Sequence, residues 1–134
     1  MISDEVQVFA SRIGVDIPEF DRCHPLCFRV DNDLEYCMEL RADDVVENDE
    51  RTVSVRLGAI LTLKVPVPDY DTGIIRRFLE RASFENPGEF QYTVGSVSGY
   101  VLMMMDMPED TRAEDIENSI LFLKREYEEI RAHG

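Results

Sequence analysis

The chain is short of basic residues. It carries 14 lysines and arginines against 28 aspartates and glutamates, a formal net charge of −14 over 134 residues. A surface with this excess of negative charge repels phosphate groups, so we expect no binding to nucleic acid and none to anionic membranes. The same charge keeps a protein soluble while it displays apolar surface.

Long apolar runs are also missing. No stretch of the sequence approaches the ~20 residues that a membrane-spanning helix needs. The N-terminal Met-Ile-Ser-Asp-Glu has neither the positive start nor the apolar stretch of a secretory signal. We therefore expect a cytoplasmic protein that does not bind membranes, folded as a single domain over residues 1–134 with a core of its own.

Residues that carry catalytic chemistry are scarce. The two histidines, His24 and His133, do not stand in a recognisable arrangement with a nucleophile. Gly95 and Gly99 flank a hairpin and not the strand-to-helix turn that would cradle a phosphate. We therefore predict no catalytic residues and no cofactor, and we expect that the protein is not an enzyme.

The chain has three cysteines, Cys23, Cys27 and Cys37. An odd number of cysteines in a cytoplasmic chain predicts free thiols. A metal site would have to use them together with His24, but their spacing matches no zinc pattern with paired CxxC knuckles. We predict no metal. Cys27 and Cys37 could reach one ion together only if strand pairing brought them side by side.

Apolar residues recur with helical and extended periods along the whole chain. Val6, Phe9, Ala10 and Ile13 follow helical spacing, and Gly14 is a natural stop for that helix. The predicted order is helix 3–14, strands 26–30 and 34–40, an acidic connection 42–51, strand 53–67 with a bend at Gly58, helix 72–84, strands 90–94 and 100–107, and helix 111–131. This α-β-β-β-α-β-β-α order predicts an α+β domain with a five-stranded antiparallel sheet.

The register of the first hairpin follows from its alternation. Residues 26, 28 and 30 and residues 34, 36, 38 and 40 are apolar, and both sets must share one face of the sheet. A three-residue turn at 31–33 then pairs Phe28 with Tyr36 and Cys27 with Cys37. The two thiols become cross-strand neighbours on the polar face.

The fifth strand, Tyr-Val-Leu-Met-Met-Met-Asp-Met at 100–107, is apolar on both sides. Val101, Met103, Met105 and Met107 share one face, and Tyr100, Leu102 and Met104 share the other. One interpretation is a central core strand filled with methionine. The other is a surface for a partner chain, because methionine side chains repack around varied apolar groups.

The second helix raises a similar question. Ile74, Ile75, Phe78 and Leu79 give it a broad apolar surface for its length. Such a helix packs either on its own sheet or on its symmetry mate in a two-fold dimer. Both interpretations remain open at this point.

The order of elements resembles that of the class I type III secretion chaperones, the CesT/SycE-like family. The resemblance is clearest in helix 3–14 with hairpin 26–40, in Val65-Pro66-Val67-Pro68 leading into 74–84, and in 100–108 leading into 111–131. It covers nearly the whole chain and rests on pattern, without an invariant motif. The YbjN-like proteins share the same ground plan.

The resemblance implies a homodimer joined largely through the second helix, which makes Ile74, Ile75, Phe78 and Leu79 the expected dimer contacts. It also implies an ATP-independent chaperone that holds an extended N-terminal segment of a secreted effector on apolar patches. Carried over by position, the patch residues are Val6, Phe9, Leu26, Phe28, Met103 and Met105. The alternative that the same ground plan implies is a YbjN-like regulatory or stress-linked interaction domain without a secreted client.

Overall fold

The structure, a computed structural model, describes residues 2–17, 19–21, 23–30, 34–46, 53–67, 72–83, 91–97 and 99–132. Within these residues the elements are α1 (Ile2–Arg12), β1 (Leu26–Val30), β2 (Leu34–Val46), β3 (Val53–Pro66), α2 (Thr72–Ser83), β4 (Thr93–Val97), β5 (Tyr100–Met107) and α3 (Ala113–Ala132). The predicted α+β class and the predicted order of elements are confirmed.

The strands form one five-stranded antiparallel sheet in the order β1-β2-β3-β5-β4. The chain leaves β3, passes through α2 to the edge strand β4, and returns as β5 between the two. The strand with methionine on both faces is therefore an interior strand, hydrogen-bonded on both sides.

The register of the β1–β2 hairpin is confirmed: Phe28 lies opposite Tyr36, and Cys27 lies opposite Cys37. The predicted turn at 31–33 lies outside the described residues. The rings of Phe28 and Tyr36 stack with their centroids 5.5 Å apart. Phe9 of α1 meets Phe28 edge-on at 5.3 Å. These contacts hold α1 against the hairpin.

Two strands extend differently from the prediction. β2 continues to Val46, which pairs with Val53, so residues 42–46 belong to a strand and not to the predicted acidic connection. The long partner β3 satisfies the main-chain groups of this acidic stretch, and that pairing overrides its low strand propensity. β4 covers Thr93–Val97 and not 90–94, so the turn into β5 is shorter than predicted. Phe90 lies outside the described residues.

Gly58 does not bend β3 out of register, because its pairing with Arg41 continues the same ladder. A Cβ atom at Gly58 would lie 2.8 Å from the carbonyl oxygen of Met107. The glycine is therefore needed for close approach of two main chains, which is the other common reason for glycine inside a strand.

α1 ends at Arg12, two residues before the predicted stop at Gly14, which has a φ of 76° and follows the helix in a turn. The Val15 N–H donates to the Ala10 carbonyl at 2.9 Å, and the Gly14 N–H donates to the Ser11 carbonyl at 3.1 Å. This is the Schellman arrangement, which satisfies carbonyl groups that the end of a helix leaves free. The start differs from the prediction by one residue, since the helix already includes Ile2.

The predicted capping box at 111–114 would start the last helix at Arg112. In the structure α3 begins one residue later, at Ala113. The Arg112 N–H donates to the Asp115 carboxylate at 3.0 Å, so Asp115 closes the box in place of Glu114. Thr111 is buried.

The core lies on one face of the sheet, which we call the inner face. α1 contacts β3, α3 contacts β5, and both α1 and α2 contact α3. The apolar stripe of α3 and the inward residues of the strands belong to one buried cluster, which includes Met38, Leu61, Leu63, Val101, Met103, Ile116, Ile120 and Leu123. Each such side chain contributes about 1.5–3 kcal/mol when it is fully buried.

The residues predicted as an exposed client patch lie in this core. Val6, Phe9, Leu26, Phe28, Met103 and Met105 are all between 0% and 7% exposed. The prediction of an exposed patch at these positions is wrong. Periodicity identified the apolar side of each element correctly, but that side is the one the chain covers with its own helices.

Candidate functional site

The opposite face of the sheet carries apolar side chains that are only partly covered. We call Ile60, Val97, Tyr100, Leu102 and Met104 the outer patch. Val97 pairs with Tyr100, and Ile60 lies two positions along β3 from the partner of Met104, so the members adjoin one another. Burial along β5 alternates accordingly: its odd-numbered residues are buried, and Tyr100, Leu102 and Met104 are intermediate. Val97 is 51% exposed.

On β1 and β2, the described side chains of the outer face are polar. Cys27, Arg29, Glu35 and Glu39 project from the hairpin on this side, as the register requires. The face therefore has a polar half on β1–β2 and a mixed half on β3–β5–β4, which carries the outer patch. At the boundary, the Lys64 ammonium lies 4.2 Å from the centre of the Tyr100 ring, a cation–π contact.

An ion pair crosses the same face. Arg41 Nη1 of β2 donates to Asp106 Oδ1 of β5 at 2.6 Å. β3 lies between these strands, and Gly58 stands opposite Arg41 in the ladder. Because Gly58 has no side chain, the Arg41 side chain can cross β3 at this position and reach Asp106.

The predicted dimer residues of α2 separate into two groups. Phe78 is 1% exposed and belongs to the core, so its assignment to an exposed interface is wrong. Leu79, one position further along the helix, is 48% exposed. Ile74 and Ile75 are partly buried against the core. A dimer contact through α2 would have to use Leu79, with Ile74 and Ile75 at its margin.

An ion pair between the exposed Arg81 and the buried Glu126 joins α2 to α3. Arg81 Nη2 donates to Glu126 Oε2 at 2.8 Å, and Arg81 Nε lies 3.3 Å from both carboxylate oxygens. The Tyr92 hydroxyl donates to Glu126 Oε1 at 3.4 Å. The hydrogen bond to Glu126 raises the pKa of Arg81 above its ordinary value, and burial, followed by the charge of Glu126, raises the pKa of Tyr92. Helical periodicity did not predict this site, because Glu126 is a charged residue at a position of the apolar stripe of α3, three residues after Leu123.

The cross-strand thiols are close together. Cys27 Sγ and Cys37 Sγ lie 2.7 Å apart, and Cys37 Sγ lies 3.9 Å from Glu35 Oε1. Both cysteines are unbonded thiols. Burial, the hydrogen bond with Cys27 and the nearby charges of Glu35 and Glu39 raise the pKa of Cys37 to about 12. This thiol is therefore protonated at neutral pH.

We expect Cys37 to be the slowest cysteine to react with iodoacetamide at neutral pH, because alkylation needs a thiolate and this side chain is partly buried. Peptide mass mapping over time should show Cys37 modified more than about tenfold more slowly than exposed Cys23. In denaturant the difference should disappear. Equal rates in the folded protein would contradict this assignment.

Cys23 and His24, the other residues that a metal site would have needed, lie in a separate loop. The Asp21 carboxylate accepts a hydrogen bond from the Cys23 N–H at 2.8 Å and lies 2.8 Å from His24 Nδ1. The Cys23 N–H lowers the pKa of Asp21. Among the described residues, the cluster of potential metal ligands consists of Cys27, Glu35 and Cys37, without Cys23 or His24.

An open cleft of about 830 Å³ lies where the C-terminal end of β5 meets the start of α3. The Arg41–Asp106 pair lines its sheet side, and Asp115 and Ser119 line its helix side. The Ser119 hydroxyl donates to the Asp115 carbonyl at 2.8 Å. Asp115 caps α3, so these groups already serve the fold.

Comparison of the chain with protein-family models, with curated proteins and with solved structures gave no match. None of the helices in the described part of the chain is long and apolar enough to cross a membrane.

Proposed function

We propose that this protein is a homodimeric, ATP-independent binding protein of the secretion-chaperone kind, which holds an extended segment of a partner protein. The observation that supports the proposal is the outer patch. The helices α1 and α3 pack on the inner face, and the outer patch stays partly open on a chain with a net charge of −14. The charge keeps such a surface in solution until a partner covers it.

The outer patch suits an extended peptide better than a small rigid ligand. Its side chains stand in rows along β3, β5 and β4, with the two-residue repeat of a strand. β4 is an edge strand of the sheet, so the edge of β4 that points away from β5 offers main-chain groups to an added strand. Main-chain pairing of this kind supplies affinity, and Leu102 and Met104 would supply tolerance for varied apolar side chains.

The dimer contact is proposed at Leu79. Leu79→Glu should convert a dimer to a monomer, because it removes a central apolar contact and places a charge there, and interface hot spots of this type are worth about 2 kcal/mol or more. Light scattering on a size-exclusion column measures the mass. The matched control is Leu121→Glu on α3, at a leucine that is 58% exposed and should leave the mass unchanged. An unchanged mass for both variants would place the interface elsewhere.

The client surface is tested with purified protein and synthetic peptides from the N-terminal segments of proteins encoded beside its gene. Met104→Asp should abolish binding of a peptide that the wild type holds, while Glu39→Gln, on the polar half of the same face, should not. A bound peptide from a secreted protein supports the chaperone proposal. Retained binding by Met104→Asp contradicts it, and so does a protein that binds none of the peptides.

A further inference from the structure

We infer that Cys27, Cys37 and Glu35 form a binding site for one thiophilic divalent cation, such as Zn²⁺. The ligand atoms of these residues all lie within 4.8 Å of one another. Two sulfurs and a carboxylate oxygen form a donor set that zinc accepts. The inference depends on the hairpin register and not on the dimer or the client surface.

The distances fit a tetrahedral ion after a small movement. Zn–S bonds of about 2.3 Å and Zn–O bonds of about 2.0–2.2 Å place neighbouring ligand atoms about 3.5–3.8 Å apart. Cys37 Sγ and Glu35 Oε1 already lie 3.9 Å apart. The two sulfurs, at 2.7 Å, must separate by roughly 1 Å. Cys27 is exposed on an edge strand, so rotation of its side chain supplies this movement.

The sheet holds the three residues on one face without further folding. Cys27 and Cys37 are directly paired, and Glu35 precedes Cys37 by two positions on the same strand. Three protein ligands leave the fourth tetrahedral position to water, and the open outer face lets the ion and this water reach the site.

Charge around the site favours a cation, with one competing effect. Glu39 follows Cys37 by two positions on the same face of β2, and its carboxylate adds negative charge near the sulfurs. Glu35 pairs in register with Arg29 and Lys64, which compete for its carboxylate. We therefore expect the two sulfurs to supply most of the affinity and Glu35 the smaller share.

The test uses the full chain, freed of metal with a chelator and kept reduced with a phosphine. Titration with Cd²⁺, followed by thiolate-to-metal charge-transfer absorption, should saturate at one ion per chain. Zn²⁺ affinity is then measured by competition with a chromophoric chelator. Cys27→Ser or Cys37→Ser should weaken Zn²⁺ binding by about a hundredfold or more, since even outer partners of metal ligands contribute about 10–100-fold. Glu35→Gln should weaken it by about tenfold.

Cys23→Ser is the matched control, because it also removes a thiol but from the separate loop, and it should bind Zn²⁺ as the wild type does. Circular dichroism of each variant checks the fold. Absence of the Cd²⁺ absorption in protein whose three thiols all titrate as free would overturn the inference. Equal weakening by Cys23→Ser, or binding that survives both serine substitutions in folded protein, would overturn it as well.

Discussion

Met103→Asp should unfold the domain, and Met104→Asp should not. Met103 is fully buried on the inner face, between its register partners Leu63 and Val94. A carboxylate at this position would be buried without a partner, at a cost above about 4 kcal/mol. Because a small domain has about 5–15 kcal/mol of total stability, the cooperative thermal transition should be lost or fall far in temperature.

Met104 provides the matched control, since it is next in sequence on the same strand and belongs to the outer patch. Its carboxylate variant remains in contact with water and should cost about 1 kcal/mol. Circular dichroism melts of the two variants decide the orientation of β5. The reverse result, with Met104→Asp unfolded and Met103→Asp folded, would mean that the register is wrong by one residue.

Arg81→Ala should destabilise the protein by about 2–3 kcal/mol, because it leaves the Glu126 carboxylate buried without its cation. Removal of one partner from a buried pair costs about 3–5 kcal/mol, and we expect less here because the Arg81 side chain is 44% exposed while that of Glu126 is 8% exposed. Urea denaturation with a fixed m-value measures the change. The double variant Arg81→Met with Glu126→Leu should recover much of the loss.

The Arg12–Glu117 pair is the control for this result. Its atoms lie 3.2 Å apart, but both side chains are more than 40% exposed, at 45% and 42%. Arg12→Ala should therefore cost only about 0–1 kcal/mol. Equal effects of Arg81→Ala and Arg12→Ala would show that the α2–α3 pair does not anchor α2.

Local pattern was sufficient for the hairpin. The parity of apolar positions in residues 26–40, combined with a three-residue turn at 31–33, paired Phe28 with Tyr36 and made Cys27 and Cys37 neighbours. Glu35 was also within reach of sequence reasoning, because a residue two positions from Cys37 on a strand must share its face. A search for ligands by spacing of cysteine and histidine alone missed this carboxylate.

The candidate surfaces were not within reach of local pattern. Met103 and Met104 are identical in chemistry, and only the packing of α3 decides which is covered. Phe78 and Leu79 are both apolar positions of one helix, and only the direction of α2 against the core separates them. Residues 42–46 were too acidic to predict as a strand, but the long β3 paired with them.

The amino-acid sequence by itself determined the order of elements, the apolar side of each one and the cross-strand neighbours of the hairpin, because these depend on periods of a few residues. Only the tertiary structure decided which apolar side is covered and which remains open on the sheet, and that the Glu126 carboxylate is buried where α3 meets α2. Those outcomes depend on how elements distant in the sequence pack together, because a side chain is buried only where another element covers it.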